Sequence, residues 1–296
     1  MPAPIVIFAF NRPDSLRTML ESLKANGLYD DSEKFFFIDG PRRESDTEKV
    51  KEVAAIAQRE SEHVFVAPQN KGLAKNVIDG VTQIINRYGR VIVIEDDLYL
   101  APLFLTYMNQ ALERYADDKR IISVCGYGLR VKRPKYYAGD VYLSNRSSSW
   151  GWATWADRWQ TVDWEIKDWE VIKSDSSVRK GFNRGGSDMF GMLKDYMEHR
   201  NNSWAIRFCF AQYRQKSYSV HPFRSLVENE GFGESATNCK QKFSRFKTEM
   251  DYRTGENINF EFPSELSPDT KILNRLRHYH SISMRLYSRL RKILNI

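Results

Sequence analysis

The chain has 296 residues, 42% of them hydrophobic and 28% charged, with a formal net charge of +7. That is enough apolar residue for one large α/β domain with a full core, which excludes general disorder. Residues 271–296 hold seven of the 45 Lys and Arg and no acid, so the rest of the chain balances 38 basic against 38 acidic residues. A nucleic-acid binder would spread basic residues over its folded face, so that class is set aside. The three cysteines (Cys125, Cys209, Cys239) are widely spaced and form no CxxC. They point to a reducing compartment, with neither a disulfide framework nor a zinc site. No signal peptide is visible, and no apolar run approaches the ~20 residues of a membrane span.

In chain order, residues 4–10 form an apolar run suited to a strand buried on both faces. Asn11-Arg12-Pro13-Asp14-Ser15 is a turn with helix-start chemistry, and Leu16, Met19, Leu20 and Leu23 follow at helical spacing. Residues 35–38 read as a second strand ending at Asp39-Gly40-Pro41, then a helix with Val50, Val53, Ala54 and Ala57 on one face. Residues 63–66 read as a third strand and 73–86 as a helix. Residues 90–94 read as a fourth strand, closed by Glu95-Asp96-Asp97. Strand, turn and helix in repetition predict βαβ units and a mainly parallel sheet. Ligands in such sheets bind beyond the carboxyl ends of the strands. Further on, 103–115 reads as a helix, 121–124 as a strand, 126–170 as a Gly-, Ser- and Trp-rich stretch, 187–216 as largely helical and 218–220 as a strand. Residues 228–237 read as a loop. We expect one domain over 1–265, with a nucleotide-binding half (1–125) and an acceptor half (126–265), followed by a basic segment at 266–296.

Three adjacent carboxylates at the end of a buried strand concentrate charge that a cation must offset. Mg²⁺ and Mn²⁺ take oxygen ligands and share them with phosphate oxygens. Val93-Ile94-Glu95-Asp96-Asp97-Leu98-Tyr99-Leu100-Ala101-Pro102-Leu103-Phe104 resembles the Glu-Asp-Asp segment of the N-acetylglucosaminyltransferase I family. Five ordered segments look more closely like bacterial glycosyltransferases of surface-polysaccharide gene clusters. They are Asn70–Ala74, the Glu-Asp-Asp strand, Ser149–Trp155, Ser203–Arg207 and Ser225–Asn229, within roughly residues 4 to 240.

The resemblance implies a GT-A-type, Rossmann-like α/β fold and transfer of a sugar from a nucleotide-diphosphate sugar to a glycan or lipid-linked acceptor, with inversion. It implies Asp97 as the ligand of Mn²⁺ or Mg²⁺, with Glu95 and Asp96 near ribose or phosphate, and Asn11, Arg12 and Asp39 on the nucleoside. Arg12 is also readable as a helix-start charge, and Asp39 as turn chemistry. Lys71, Gly72 and Lys75 suit a phosphate at a helix start, or a plain loop-to-helix cap. The family's catalytic Asp has no acidic counterpart in Ser203–Arg207, which leaves Asp188, Glu228 and Glu230 as candidates for the base. Asp188 reads equally as a helix N-cap, and Glu228 as a second metal ligand. Trp150-Gly151-Trp152 suits a sugar-binding wall, with one of the two Trp on the ligand, or else core packing. Cys125 and Cys209 read as inert core residues, and the five histidines show no ligand spacing.

Residues 271–296 read as an amphipathic basic helix. Such a helix suits an anionic membrane surface, which would place the protein peripherally on the inner face of the cytoplasmic membrane; alternatively it docks on the protein. A sugar-phosphate nucleotidyltransferase would want a Gly-rich phosphate loop where Asn11-Arg12-Pro13 stands. A non-catalytic glycan-binding relative of the fold is the remaining alternative.

Overall fold

The computed structural model describes residues 1–229, 246–255, 258–263 and 267–294. Among the described residues the strands are β1 (Ile5–Ala9), β2 (Lys34–Ile38), β3 (Val64–Val66), β4 (Arg90–Glu95), β5 (Leu98–Leu100), β6 (Ile121–Cys125), β7 (Val141–Ser144), β8 (Trp152–Trp155), β9 (Tyr218–Pro222) and β10 (Val227–Asn229). The helices are α1 (Pro13–Lys24), α2 (Thr47–Glu60), α3 (Leu73–Tyr88), α4 (Phe104–Arg114), α5 (Ala156–Trp159), α6 (Trp169–Ile172), α7 (Ser176–Phe182), α8 (Met189–Met197), α9 (Trp204–Arg214), α10 (Thr270–Tyr279) and α11 (Ile282–Leu294).

Eight strands form one sheet in the order β3-β2-β1-β4-β8-β6-β9-β7. β3, β2, β1 and β4 are mutually parallel, and β6 and β9 run the same way. Only β8 and β7 are reversed. The sheet is thus mainly parallel, as the βαβ pattern predicts. Its alternating side chains divide the core. Ile5 and Ile7 join α1, α2 and α4 on one face. Val6 and Phe8 join α3 and α9 on the other. A third cluster, including Ile172, Phe182, Met189 and Phe210, packs α6 to α9 together.

The Gly-, Ser- and Trp-rich stretch holds two strands that its composition hides. β8 is inserted between β4 and β6, so both halves of the chain share one sheet. β8 is only four residues long, and its side chains are buried on both sides. Trp152 is fully buried and stacks between Trp159 and Trp204, with ring centroids at 5.7 and 4.9 Å. The Trp clustering is therefore largely a packing feature. A small antiparallel sheet, β5 with β10, follows directly on the acidic triplet.

The C-terminal segment is two helices rather than one. Ser281 breaks it, its hydroxyl accepting the Met284 N–H at the start of α11. α10 buries Ile272 and Leu276 in the main core, while α11 leaves Ile282, Leu286 and Leu290 exposed. Among the described residues no helix is long and apolar enough to cross a membrane.

Trp152→Ala removes a fully buried indole from the centre of this packing. It is expected to cost about 3–5 kcal/mol of stability, read from the shift of a urea unfolding curve.

Candidate active site at the carboxyl edge of the sheet

The carboxyl ends of β1, β2 and β4 are aligned, with Ala9 opposite Ile38 and Phe8 opposite Glu95. Beyond them lies a cavity of about 420 Å³ lined by Asn11, Arg12, Asp39, Glu95 and Asp96, among others. Five of the residues singled out from sequence therefore meet in one place. Arg42, Asn76 and Leu73 also line it and were missed. Their position just past β2, or at the start of α3, is the only signal that marks them.

Each acid of the triplet is held differently. Asp96 is buried; its carboxylate accepts the Phe10 N–H at 3.2 Å and pairs with Arg12. Burial raises the Asp96 carboxyl to about 6, against the opposing pull of Arg12. Glu95 keeps some exposed surface, yet the protein packed around its carboxyl desolvates it. That burial, with the charges of Asp97 and Asp96, pushes it up to about 8. Asp97 gives one oxygen, Oδ2, to Arg12 at 3.1 Å. Its other oxygen, Oδ1, is buried and accepts no hydrogen bond among the described residues. A buried carboxylate oxygen without a donor is costly and marks a place for a cation. The fit to one divalent ion is good on Asp97. Among the described residues no cluster of three or more His, Cys, Asp or Glu forms a full cage.

Arg12 is thus the counter-charge of the triplet. Asn11 is drawn aside, donating its amide to Asp46 at 2.7 Å. Asp39 is spent on structure. Its carboxylate accepts the backbone N–H groups of Gly40 (2.9 Å), Lys71 (2.7 Å) and Gly72 (2.9 Å), and the Asn70 side-chain amide (3.0 Å). The backbone N–H groups of Lys71 and Gly72 are thus taken by Asp39, which leaves the phosphate expectation to the lysine side chains and the first turn of α3. Gly72 stands at φ +78°, a conformation that favours glycine. Lys75 pairs with Asp79 at 3.0 Å, and Lys71 lies 3.8 Å from the same carboxylate.

The acceptor half meets this edge through β8, which runs antiparallel to β4 with Val93 opposite Trp152. The segment just before it, Trp150-Gly151, therefore lies at the triplet's end of the sheet. Gly151 adopts φ +54°, and a Cβ there would lie 2.7 Å from Val227 and 2.9 Å from the Phe104 ring. Its role is to let the chain pass. Trp150 and Trp152 separate as the alternatives allowed: Trp150 lines a second cavity, and Trp152 is core. Glu228 sits on β10 opposite Tyr99, two residues beyond Asp97 on the neighbouring strand. Asp188 stands at the start of α8 but caps nothing with its side chain. It pairs with Arg146 at 2.9 Å. Burial works against that charge, but Arg146 prevails and holds the carboxyl below its ordinary range, which makes Asp188 a poor base. Glu230 and Cys239 lie outside the described residues.

Replacing Asp39 with Ala strips three backbone N–H groups, those of Gly40, Lys71 and Gly72, of their acceptor. Amide exchange at Lys71 and Gly72 is expected to rise about tenfold or more, with β1 unchanged, as read by hydrogen–deuterium exchange.

No curated protein matches the chain. Among solved structures, S. aureus TarS 1–349 is 10% identical with a TM-score of 0.45, over 78% of this chain and 61% of that one. The mannosyltransferase PcManGT from Pyrobaculum calidifontis, in complex with GDP-Man and Mn²⁺, is 13% identical with a TM-score of 0.34, over 53% and 47%. The mannose-1-phosphate geranyltransferase from Thermus thermophilus is 15% identical with a TM-score of 0.34, over 78% and 77%. The chain thus spans about three fifths of the TarS fragment and about half of PcManGT. Residues 5–139 match the family model described as Glycosyl transferase family 2, and the sheet they begin, with its acidic edge after β4, has the GT-A fold.

Proposed function

We propose that this protein is a glycosyltransferase that moves a sugar from a nucleotide-diphosphate sugar to a glycan or lipid-linked acceptor, with inversion. The observation that carries this reading is Asp97 Oδ1, buried and unsatisfied beside the cavity that Arg12, Glu95 and Asp96 line. The family match over residues 5–139 supports it, as do the five segments that resemble surface-polysaccharide enzymes. In this reading Asp97 holds Mn²⁺ or Mg²⁺. When bound, the ion neutralises the diphosphate as it leaves. Arg12 keeps the triplet's remaining charge compensated, Arg42 and Asn76 face the nucleoside, and Asn11, its amide held by Asp46, lines the same cavity. Asp39 acts indirectly, by fixing the 70–72 loop. Glu228, on the strand beside the triplet, is assigned the acceptor proton.

Titration calorimetry with UDP, GDP and dTDP, with and without Mn²⁺, tests this. At least one nucleotide is expected to bind tenfold or more tightly with the metal, and Asp97→Ala is expected to abolish that gain. Metal-independent binding, or none, overturns the reading.

A peripheral membrane location is supported by α11. Ile282, Leu286 and Leu290 recur every four residues and are 60%, 53% and 58% exposed. Arg285, Arg289 and Arg291 accompany them, and no acid occurs after residue 270. Such a face can rest on anionic headgroups, each cation contributing about 1 kcal/mol. α10 takes the docked alternative, so the membrane reading narrows from 271–296 to α11. Deleting residues 282–296 is expected to abolish sedimentation with phosphatidylglycerol vesicles. Unchanged sedimentation would remove the proposal.

A further inference from the structure

The second cavity, of about 280 Å³, lies where β7, β9, the segment after β6 and the segment leading into β8 meet α8 and α9. That is near the lower end of ligand pockets, about the room for one sugar residue. Its walls combine two features. Trp150, Tyr127 and Phe246 supply aromatic surface, with Trp150 packed edge-on against Tyr127 at 4.7 Å. Ser144, Ser147, Ser148 and Ser149 supply hydroxyls. Aromatic faces with short polar groups suit the C–H faces and hydroxyls of a sugar.

Among the described residues the cavity is lined by Arg146, His221 and His280 and by no Asp or Glu. Arg146 has a counter-ion, Asp188, but that carboxylate stands outside the lining, and among the described residues the second terminal nitrogen of Arg146 faces the Met192 sulfur at 3.9 Å. Gly186 makes room for the pair: a Cβ there would lie 2.7 Å from both Arg146 and Asp188. The guanidinium is thereby fixed in place, with its side chain 22% exposed.

His221 is buried, and both of its ring nitrogens face backbone carbonyl oxygens, Nδ1 at 2.8 Å from Tyr127 O and Nε2 at 3.0 Å from Arg146 O. A neutral imidazole has one donor and would set its lone pair against a carbonyl; the imidazolium donates to both. Burial works against that charge, but Cys125, whose own thiol His221 draws down against burial, and the two carbonyls outweigh it and raise the His221 pKa, so that any charge on the ring is paired with that sulfur. Cys125 lies outside the lining, and the thiol that does line the cavity, Cys209, is pushed up to about 11 by burial and stays neutral. Another cavity, of about 710 Å³, opens one residue further along two of the same segments, at Arg130 and Pro222, where Arg130, Lys132, Arg133, Arg224 and Arg253 outnumber Asp140, Glu249 and Asp251.

We infer that the cavity beside Trp150 binds a sugar unit carrying an anionic substituent, a carboxylate or a phosphate, with Arg146 as the specificity-determining contact. This rests on the proposed function only in naming the bound glycan as that enzyme's substrate. Binding itself requires neither donor nor metal.

The test is an array of uronate- and phosphate-bearing oligosaccharides, each beside its neutral counterpart, probed with the full chain without nucleotide or metal. Three proteins are compared: wild type, Arg146→Lys, and the double variant Arg146→Gln with Asp188→Asn, which leaves no uncompensated carboxylate. Wild type is expected to bind at least one charged glycan about tenfold more tightly than its neutral partner. The double variant is expected to lose that preference, and Arg146→Lys to keep part of it. Which member binds, carboxylate or phosphate, identifies the substituent. Equal binding of charged and neutral partners, no binding at all, or a preference that survives in the folded double variant overturns the inference. A protein that prefers anionic glycans yet shows no metal-dependent nucleotide binding would overturn the proposed function and leave this one standing.

Discussion

The site is organised by one electrostatic constraint: three carboxylates stand in a row where a buried strand reaches the edge of the sheet. Uncompensated, that charge would be costly. Arg12 is the local answer. It comes from the turn after β1, the strand paired with β4, so the strand pairing itself delivers the cation to the acids. Asp96 takes the most from this arrangement and is fixed by it. Glu95 sits deepest in charge and is held toward its neutral form. Asp97 is left with one oxygen engaged and one unspent.

A second acid a short distance away is used in the opposite manner. Asp39 closes β2 much as Glu95 closes β4, and both line the same cavity. Its oxygens are saturated by amides of the 70–72 loop. Every donor it occupies is one that a phosphate cannot use. The 70–72 loop before α3 is therefore held in shape by Asp39. Two carboxylates with similar positions in the topology thus have different work, and the partners that decide it are backbone N–H groups.

Much of this architecture is legible in the sequence. Continuous apolar runs mark β1, β2 and β4 because strands buried on both faces need them, and helical spacing marks α1, α3 and α4. The triplet is legible because it follows such a run directly. β7 and β8 are not: four residues give no period, and Gly151 and the serines before it read as loop. The roles of Asp39 and Asp188 are not legible either. Asp39 is decided by donors 31 to 33 residues away, and Asp188 by Arg146, 42 residues away. His221 has no sequence signal at all, since what defines it is a pair of carbonyls brought together by folding. The break between α10 and α11 rests on one serine cap, while the hydrophobic spacing runs on across it.

Two arginines, one lining each cavity, show how exposure sorts such groups. Arg146 is mostly enclosed and tied to one carboxylate, so it presents a fixed charge to its cavity. Arg12 is 48% exposed and divides itself between Asp96 and Asp97. Because it uses only Oδ2 of Asp97, a cation arriving at Oδ1 need not break that pair. The ion would then find a carboxylate already oriented by Arg12 and a neighbour, Asp96, already neutralised by it. A metal site of this kind needs few protein ligands, since the surrounding charge is balanced before the ion arrives. In the proposed reading, the ion's place is Asp97 Oδ1, the one buried carboxylate oxygen without a donor among the described residues.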